Sequence, residues 1–167
     1  MLEKNIILCG FMGCGKTTVG EKLSTILNRE FLDVDRVIEK EQNLKVYEIF
    51  ENFGECRFRE LESAAVSKIY NLKNKVISLG GGTLENPENS EKLKSNGIIF
   101  FLDVPLNVIG KRLKNDKIRP LLKNQDIDSL FFKRIQNYKK YADFTLNANL
   151  DPKEICAEII FLINSKS

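Results

Sequence analysis

The segment Gly10–Thr17, with the sequence GFMGCGKT, stands between a short apolar run and a stretch with helical periodicity. It fits the pattern GxxxxGK[ST], in which backbone amides at the N-terminus of a helix cradle the phosphates of a nucleotide. In such a loop Lys16 reaches the β- and γ-phosphates, and the hydroxyl of Thr17 binds Mg2+. The motif therefore predicts an ATP site that includes Gly13, Cys14, Gly15, Lys16, Thr17 and Thr18.

On both sides of this loop, strand patterns alternate with helix patterns along the whole chain. Short apolar runs predict strands at 5–9, 30–35, 75–79, 98–104 and 144–146. Helical spacing or composition predicts helices at 16–27, 36–53 (in pieces), 55–70, 87–95, 105–114, 126–141 and 152–163. Because strands separated by helices pair in parallel and are covered on both faces, we expect an α/β three-layer sandwich around a five-stranded parallel sheet. The polar segment 115–125 is predicted to be a mobile loop.

Size and charge fit a single domain, 1–167, with small-molecule substrates. The 26 lysines and arginines exceed the 23 acidic residues by only three, too weak a bias to favour nucleic acid or an anionic membrane as partner. The longest apolar run near the middle, 98–102, is far shorter than the ~20 residues of a membrane helix. Since the N-terminus has no apolar core typical of a signal peptide, we expect a cytoplasmic protein.

The sequence contains no histidine, which excludes histidine-based triads, acid–base catalysis and metal sites. The four cysteines form no CxxC pair, so neither a zinc site nor a redox site is expected. We predict that all four are buried or half-buried thiols without disulfides. They are Cys9, Cys14, Cys56 and Cys156.

An acidic pair closes the predicted second strand, at Asp33 and Asp35. Residues two apart on a strand point the same way, so both carboxylates should face the carboxyl edge of the sheet, where ligands bind in this fold class. One could hold Mg2+ through water, and the other could bind a hydroxyl and accept its proton. Asp103, at the end of another predicted strand, is a weaker candidate for the metal and is expected to be mostly structural.

Three consecutive glycines, 80–82, follow the third predicted strand, where they would let a substrate approach the main chain closely. Phosphoryl transfer also needs cations, and a carboxylate substrate needs a bidentate partner. Composition alone leaves open which arginines take part. The candidates are Arg57, Arg59, Arg112, Arg119 and Arg134.

Taken together, these motifs resemble one family. The matching segments are GFMGCGKTTVG at 10–20, FLDVD at 31–35, GECRFRELE at 54–62, GGG at 80–82, RPLL at 119–122, and Arg134 followed by Tyr138. In this order and spacing the chain is similar to the shikimate kinases, a group with the P-loop, nucleoside-monophosphate-kinase-like fold. The resemblance extends from the first strand to at least Ala142.

The resemblance implies transfer of the γ-phosphoryl group of ATP to the 3-hydroxyl of shikimate, giving shikimate 3-phosphate and ADP on the way to aromatic amino acids. It implies Mg2+ as cofactor, held by Thr17 and, through water, by Asp33. Asp35 matches the acid that binds the shikimate hydroxyls and is the candidate base. Lys16 matches the phosphate-loop lysine.

Arginines and glycines are assigned in the same way. Arg59 and Arg134 match two ligands of the shikimate carboxylate, and Gly81, with Gly82, matches a backbone contact to the substrate. Arg57 matches no motif position and is expected to lie on the surface.

Two further arginines match nucleotide ligands. Arg119, within a lid at 115–125, matches the arginine that reaches the ATP phosphates and completes the catalytic set. Arg112 matches the arginine that stacks on adenine.

Two other functions compete with this assignment. Another small-molecule kinase of the same fold, such as a gluconate or nucleotide kinase, would need a different acceptor pocket. A non-catalytic nucleotide-binding module would be expected to lack Lys16, Asp35 or Arg119, all of which are present. We expect a monomer, because no surplus apolar stripe is visible, and no nucleic-acid or membrane partner.

Overall fold

The computed structural model describes residues 4–113 and 126–165. Strands and helices alternate through both ranges, as the sequence predicts. The strands are β1 (Asn5–Cys9), β2 (Glu30–Asp33), β3 (Lys75–Ser78), β4 (Gly97–Asp103) and β5 (Phe144–Asn147). The helices are α1 (Lys16–Leu27), α2 (Val34–Gln42), α3 (Val46–Ile69), α4 (Pro87–Asn96), α5 (Leu106–Leu113), α6 (Ile127–Tyr141) and α7 (Pro152–Ser165). A 3-10 turn at Thr83–Glu85, which periodicity does not predict, precedes α4.

All five strands form one parallel sheet in the order β2-β3-β1-β4-β5, which confirms the predicted fold class. The central strand β1 is buried along its whole length, as its continuous apolar sequence requires. In the register of the sheet Ser78 is level with both Leu8 and Asp33. The phosphate-binding loop, the acidic pair and the three glycines therefore leave the sheet at the same edge.

The end of β2 differs from the sequence prediction. The strand stops at Asp33, and Asp33 caps α2: its Oδ1 accepts hydrogen bonds from the backbone amides of Asp35 (3.1 Å) and Arg36 (3.4 Å). Aspartate is among the preferred N-cap residues, and here that local preference ends the strand early. Asp33 and Asp35 thus do not alternate along a strand, and the predicted strand at 30–35 was wrong in its last two residues.

Helix α3 is kinked at Gly54, which has φ 78° and ψ 175°. The sequence predicts helical segments on both sides of this glycine. The backbone of Gly54 is not helical, so α3 consists of two helical segments that join at this residue, which confirms the predicted break. Helix α2 ends separately before α3 begins. Rings on either side of the kink are in contact, with the centroids of Phe50 and Phe58 4.6 Å apart. The parts of α3 before and after the kink therefore form the same wall of the site.

The apolar stripe of α7, Ile155, Ile159 and Ile163, is buried as predicted. Three of the four cysteines are also buried, but Cys56 is exposed, so its predicted burial was wrong. Burial raises the pKa of Cys9 far above its ordinary value, which keeps that thiol protonated. None of the helices in the described ranges combines the length and apolar character that crossing a membrane requires.

Candidate active site

The phosphate-binding loop joins β1 to α1 through glycines with positive φ. Gly15 directly precedes the first turn of α1 and has φ 99°. Residues with a side chain rarely adopt this backbone conformation. The Nζ of Lys16 donates to the carbonyl of Gly10 at 2.8 Å and to that of Phe11 at 3.2 Å. The lysine thus lies along its own loop, with its charge held among backbone carbonyls beside the helix N-terminus.

Thr17 and Asp33 meet across the site. The hydroxyl of Thr17 donates to Oδ2 of Asp33 at 3.0 Å. A hydroxyl and a carboxylate at the foot of a phosphate loop are hard oxygen donors of the kind that Mg2+ prefers. Within residues 4–113 and 126–165 no group of three or more histidine, cysteine or acidic residues is arranged so that it could hold a metal ion by itself. This donor set fits Mg2+, which is usually held by one or two protein oxygens together with nucleotide phosphates.

A cavity of about 510 Å3 opens at this edge of the sheet. Its walls come from the phosphate-binding loop, the β2–α2 junction, α3, the three glycines and α6. It brings together most of the residues predicted from sequence: Gly13, Gly15, Lys16, Thr17, Thr18, Asp33, Asp35, Arg59, Gly81, Gly82 and Arg134.

The remaining candidates within the described ranges do not line the cavity. Cys14 is a buried residue of the loop itself, with its sulfur 3.8 Å from Lys16 Nζ. Arg112, on α5, donates to the carbonyl of Gly13 at 3.1 Å, so it touches the loop, and its contact with adenine stays a prediction. Arg119 and the lid at 115–125 lie outside the described residues. Asp103 ends β4 and accepts a backbone hydrogen bond from Ala148 there.

Each glycine of the triplet lies against a polar side chain of the site. A Cβ on Gly80 would lie 2.6 Å from Oε1 of Glu62 and 3.0 Å from Oδ1 of Asp35. A Cβ on Gly82 would lie 2.4–2.7 Å from the guanidinium of Arg59, and one on Gly81 would lie 3.3 Å from Nη1 of Arg134. None of the three has positive φ. Close approach of the protein's own side chains, rather than an unusual backbone, accounts for the triplet.

Arg59 is held by two carboxylates of its own helix. Its Nη1 donates to Glu62 at 2.8 Å and its Nη2 to Glu55 at 3.1 Å. Glu62 is 1% exposed, and its other oxygen accepts from the hydroxyl of Thr83 at 2.6 Å. Burial lowers the pKa of Arg59, but the charges and hydrogen bonds of the two glutamates outweigh it, so the net shift is upward. The guanidinium is therefore charged and oriented.

Arg134 is 2% exposed and lines the cavity from α6. Its Nε donates to Oε2 of Glu85 at 3.0 Å, while Lys133 Nζ lies 2.9 Å from Oε1. Burial alone would raise the pKa of Glu85, but the hydrogen bond from Lys133 and the charges of Arg134 and Lys133 bring it below its usual value. One turn further along α6, the hydroxyl of Tyr138 donates to the carbonyl of Gly81. Burial raises the pKa of that phenol well above its ordinary value, so it remains a donor.

Sequence reasoning had assigned no role to Glu62, Glu85 or Tyr138. A signal existed for two of them. Glu62 is three residues after Arg59, and Tyr138 is four after Arg134, so each lies on the same helix face as its arginine. Glu85 carries no such signal, because its contact with Arg134 joins residues 49 apart in sequence. Arg57 is exposed and paired with Glu60 at 2.8 Å, which confirms its predicted surface position.

Known proteins resemble the chain over nearly its full length. The sequence model of the family described as shikimate kinase matches residues 12–164. A shikimate kinase of Caldicellulosiruptor bescii is 44% identical over 165 residues, covering 96% of this chain and 95% of the relative. Among solved structures, a shikimate kinase from Acinetobacter baumannii in complex with shikimate is 34% identical, covers 98% of this chain and 94% of its own, and has a TM-score of 0.91.

A second solved structure, the shikimate kinase of Aquifex aeolicus, is 40% identical, covers 97% of both chains and has a TM-score of 0.87. The chain therefore belongs to the shikimate kinase family, the ATP-dependent kinases that phosphorylate shikimate.

Proposed function

We propose that the cavity binds ATP at the phosphate loop and shikimate between Asp35 and the two arginines, and that it transfers the γ-phosphoryl group to the 3-hydroxyl. The observation that carries this proposal is that Lys16, Asp35, Arg59 and Arg134 line one cavity. Products are shikimate 3-phosphate and ADP.

At the nucleotide end, backbone amides of the loop bind the phosphates, and Lys16 exchanges its loop carbonyls for phosphate oxygens. That exchange places its charge where negative charge moves during transfer. Thr17 and Asp33 would hold Mg2+, Asp33 through water. When bound, the ion neutralises charge on the β- and γ-phosphate oxygens.

At the acceptor end, Asp35 binds the hydroxyl that attacks. The backbone amide of Asp35 donates a hydrogen bond to the capping carboxylate of Asp33, and Oδ1 of Asp35 lies against Gly80. A carboxylate fixed there can orient the hydroxyl and take its proton as the bond to phosphorus forms.

Arg59 and Arg134 bind the carboxylate of the same substrate from α3 and α6. Two cations are brought together at one wall from helices far apart in sequence, which is the arrangement that recognition of a planar carboxylate needs. Holding the acid there fixes the position of the hydroxyl at the other end of the ring.

The proposal also covers the lid, the oligomeric state and the location of the enzyme. Arg119, in the lid at 115–125, would add a cation to the transferred phosphoryl group and help exclude water. We also propose that the enzyme is a single domain that acts as a monomer in the cytoplasm.

The test is Asp35→Asn, which keeps the shape of the side chain and removes its charge. We expect the dissociation constant for Mg-ATP to change less than about threefold, and kcat with shikimate to fall about 100-fold or more, as loss of a general base does. Asp128→Asn, at an exposed position on α6, is the matched control and should keep wild-type kinetics. Near-normal turnover of Asp35→Asn would show that Asp35 is not the proton acceptor.

A further inference from the structure

Glu85 is the feature of this site that the reaction outlined above leaves unused. It lies on the 3-10 turn directly after the three glycines, and its carboxylate is only 20% exposed. One oxygen accepts from Arg134 Nε at 3.0 Å, and the other lies 2.9 Å from Lys133 Nζ. Glu85 therefore joins the segment that forms one wall of the cavity to the helix that carries a carboxylate-binding arginine.

The edge of the Arg134 guanidinium that Glu85 binds determines which nitrogens remain for a substrate. An arginine presents Nε and two terminal nitrogens, and a carboxylate can bind to either edge. Glu85 uses Nε, and in the described ranges this is the hydrogen bond that Arg134 makes. Nη1 lies near Gly81, on the cavity wall, where a Cβ would stand only 3.3 Å from it. The terminal edge therefore remains toward the cavity.

Arg59 is held in the opposite way. Both of its terminal nitrogens are committed, one to the buried Glu62 and one to Glu55, whose side chain is 48% exposed. A substrate carboxylate must displace or share one of these contacts. Of the two arginines, Arg134 is thus the one whose terminal nitrogens can bind a substrate carboxylate without first giving up a carboxylate of the protein.

The charges of Arg134, Glu85 and Lys133 also support a positioning role for Glu85. A guanidinium buried as deeply as that of Arg134 needs a counterion, and Glu85 supplies it. Lys133 balances the charge of Glu85, so the group of three keeps one net positive charge. Glu85 can therefore fix Arg134 without cancelling the attraction for an acid.

We propose that Glu85 is a positioning residue for substrate binding: it holds Arg134 by Nε so that the terminal nitrogens of the guanidinium face the substrate carboxylate. This inference rests on the proposed role of Arg134. It assigns Glu85 no contact with the substrate.

The experiment measures kcat and the KM values for shikimate and ATP in wild type, Glu85→Gln and Glu85→Ala. We expect Glu85→Ala to raise the KM for shikimate about 10- to 30-fold, as loss of the partner of a buried charge does. Glu85→Gln keeps one acceptor oxygen and should raise it less. The kcat and the KM for ATP should stay within about twofold in both, a split that general damage to the fold would not give.

Three further variants, two single and one double, make the result decisive. Glu60→Gln removes a carboxylate from an exposed pair with Arg57 on α3 and should leave all three constants unchanged. Arg134→Ala alone should raise the KM for shikimate, and adding Glu85→Ala to it should raise that KM no further, because Glu85 acts through Arg134.

The outcomes separate the two proposals. If Arg134→Ala leaves the KM for shikimate unchanged, the role of Arg134 is wrong and that of Glu85 with it. If Arg134→Ala raises this KM but neither Glu85 variant does, or if Glu85→Ala lowers it by removing a repulsive charge, only the Glu85 proposal is overturned. An equal further rise in the Arg134→Ala background would overturn it too. Should Glu85→Ala fail to fold, Glu85→Gln decides alone by the same split.

Discussion

At the scale of single residues, the site depends on glycines, which have no side chain, as much as on the charged residues beside them. The guanidinium of Arg59 fills the space beside Gly82 where a methyl group would stand, and Asp35 and Glu62 press against Gly80. The glycines thus set how closely the acid-binding wall and the acceptor-binding aspartate can approach the sheet.

Gly82→Ala should damage substrate binding more than the fold. Backbone at this position, with φ −106°, accepts any residue, so the clash falls on the flexible end of Arg59. We expect the KM for shikimate to rise about tenfold and the free energy of unfolding to fall by about 1–2 kcal/mol, the usual cost of overpacking. Steady-state kinetics and urea titration measure both.

Gly110→Ala is the matched control for that prediction. Its Cβ would meet no atom within 4 Å, and alanine favours a helix by about 1 kcal/mol over glycine. It should leave the KM unchanged and stabilise the protein slightly. Equal KM values for wild type and Gly82→Ala would contradict the packing argument.

Residue identity predicted much of the site, but not always for the right reason. The sequence places Asp33 and Asp35 at the sheet edge, and both line the cavity. The strand geometry assumed for them was wrong, because Asp33 ends the strand by capping α2. Glu85 was invisible, since contacts between distant segments have no local pattern.

At the scale of elements, the kink in α3 is the feature on which the acid-binding wall depends. Gly54 adopts φ 78° and ψ 175°, a region open almost only to glycine. Phe50 precedes the kink and Arg59 follows it, and both line the cavity. The glycine therefore sets the angle between two parts of that wall.

Gly54→Ala should lower stability and substrate affinity together. No atom lies within 4 Å of its Cβ, so the cost comes from the backbone alone, about 1–3 kcal/mol. Either the strain remains, or α3 straightens and Arg59 moves away from the substrate. Urea unfolding and the KM for shikimate report the two effects. A variant unchanged in both would mean that the kink is incidental.

Element boundaries were predictable to within a few residues, because capping residues and apolar runs are local signals. α1 and β1 agree with the prediction, and α4 and α7 extend slightly beyond it. The break in α3 at Gly54 was predictable, since glycine is unfavourable inside a helix, and its backbone there is not helical. The 3-10 turn that carries Glu85 was missed, because three residues are too short to show a periodic pattern.

At the scale of the whole molecule, the sheet brings distant segments to one edge. Its parallel, five-stranded character follows from the alternation of strands and helices, and the sequence predicts it correctly. The strand order β2-β3-β1-β4-β5 could not be derived in the same way, because it depends on which crossovers pack together.

The fully buried central strands should carry most of the stability. Phe100, on β4, is 0% exposed and stacks on Phe144 with ring centroids 5.2 Å apart. Phe100→Ala should cost about 3–5 kcal/mol. Phe161→Ala, at a position 70% exposed on α7, is the matched control and should change the free energy of unfolding by less than about 0.5 kcal/mol. Similar losses in both would contradict the assigned core.

The central claim, that one cavity joins an ATP site to an acid-binding acceptor site, is tested most directly by acceptor-dependent ADP release. Wild type and Arg59→Ala are assayed with Mg-ATP and shikimate, quinate, gluconate or AMP. We predict turnover that depends on shikimate and falls at least about tenfold in kcat/KM when Arg59 is removed. Turnover with gluconate or AMP instead, or shikimate turnover indifferent to Arg59, would contradict the assignment of the pocket.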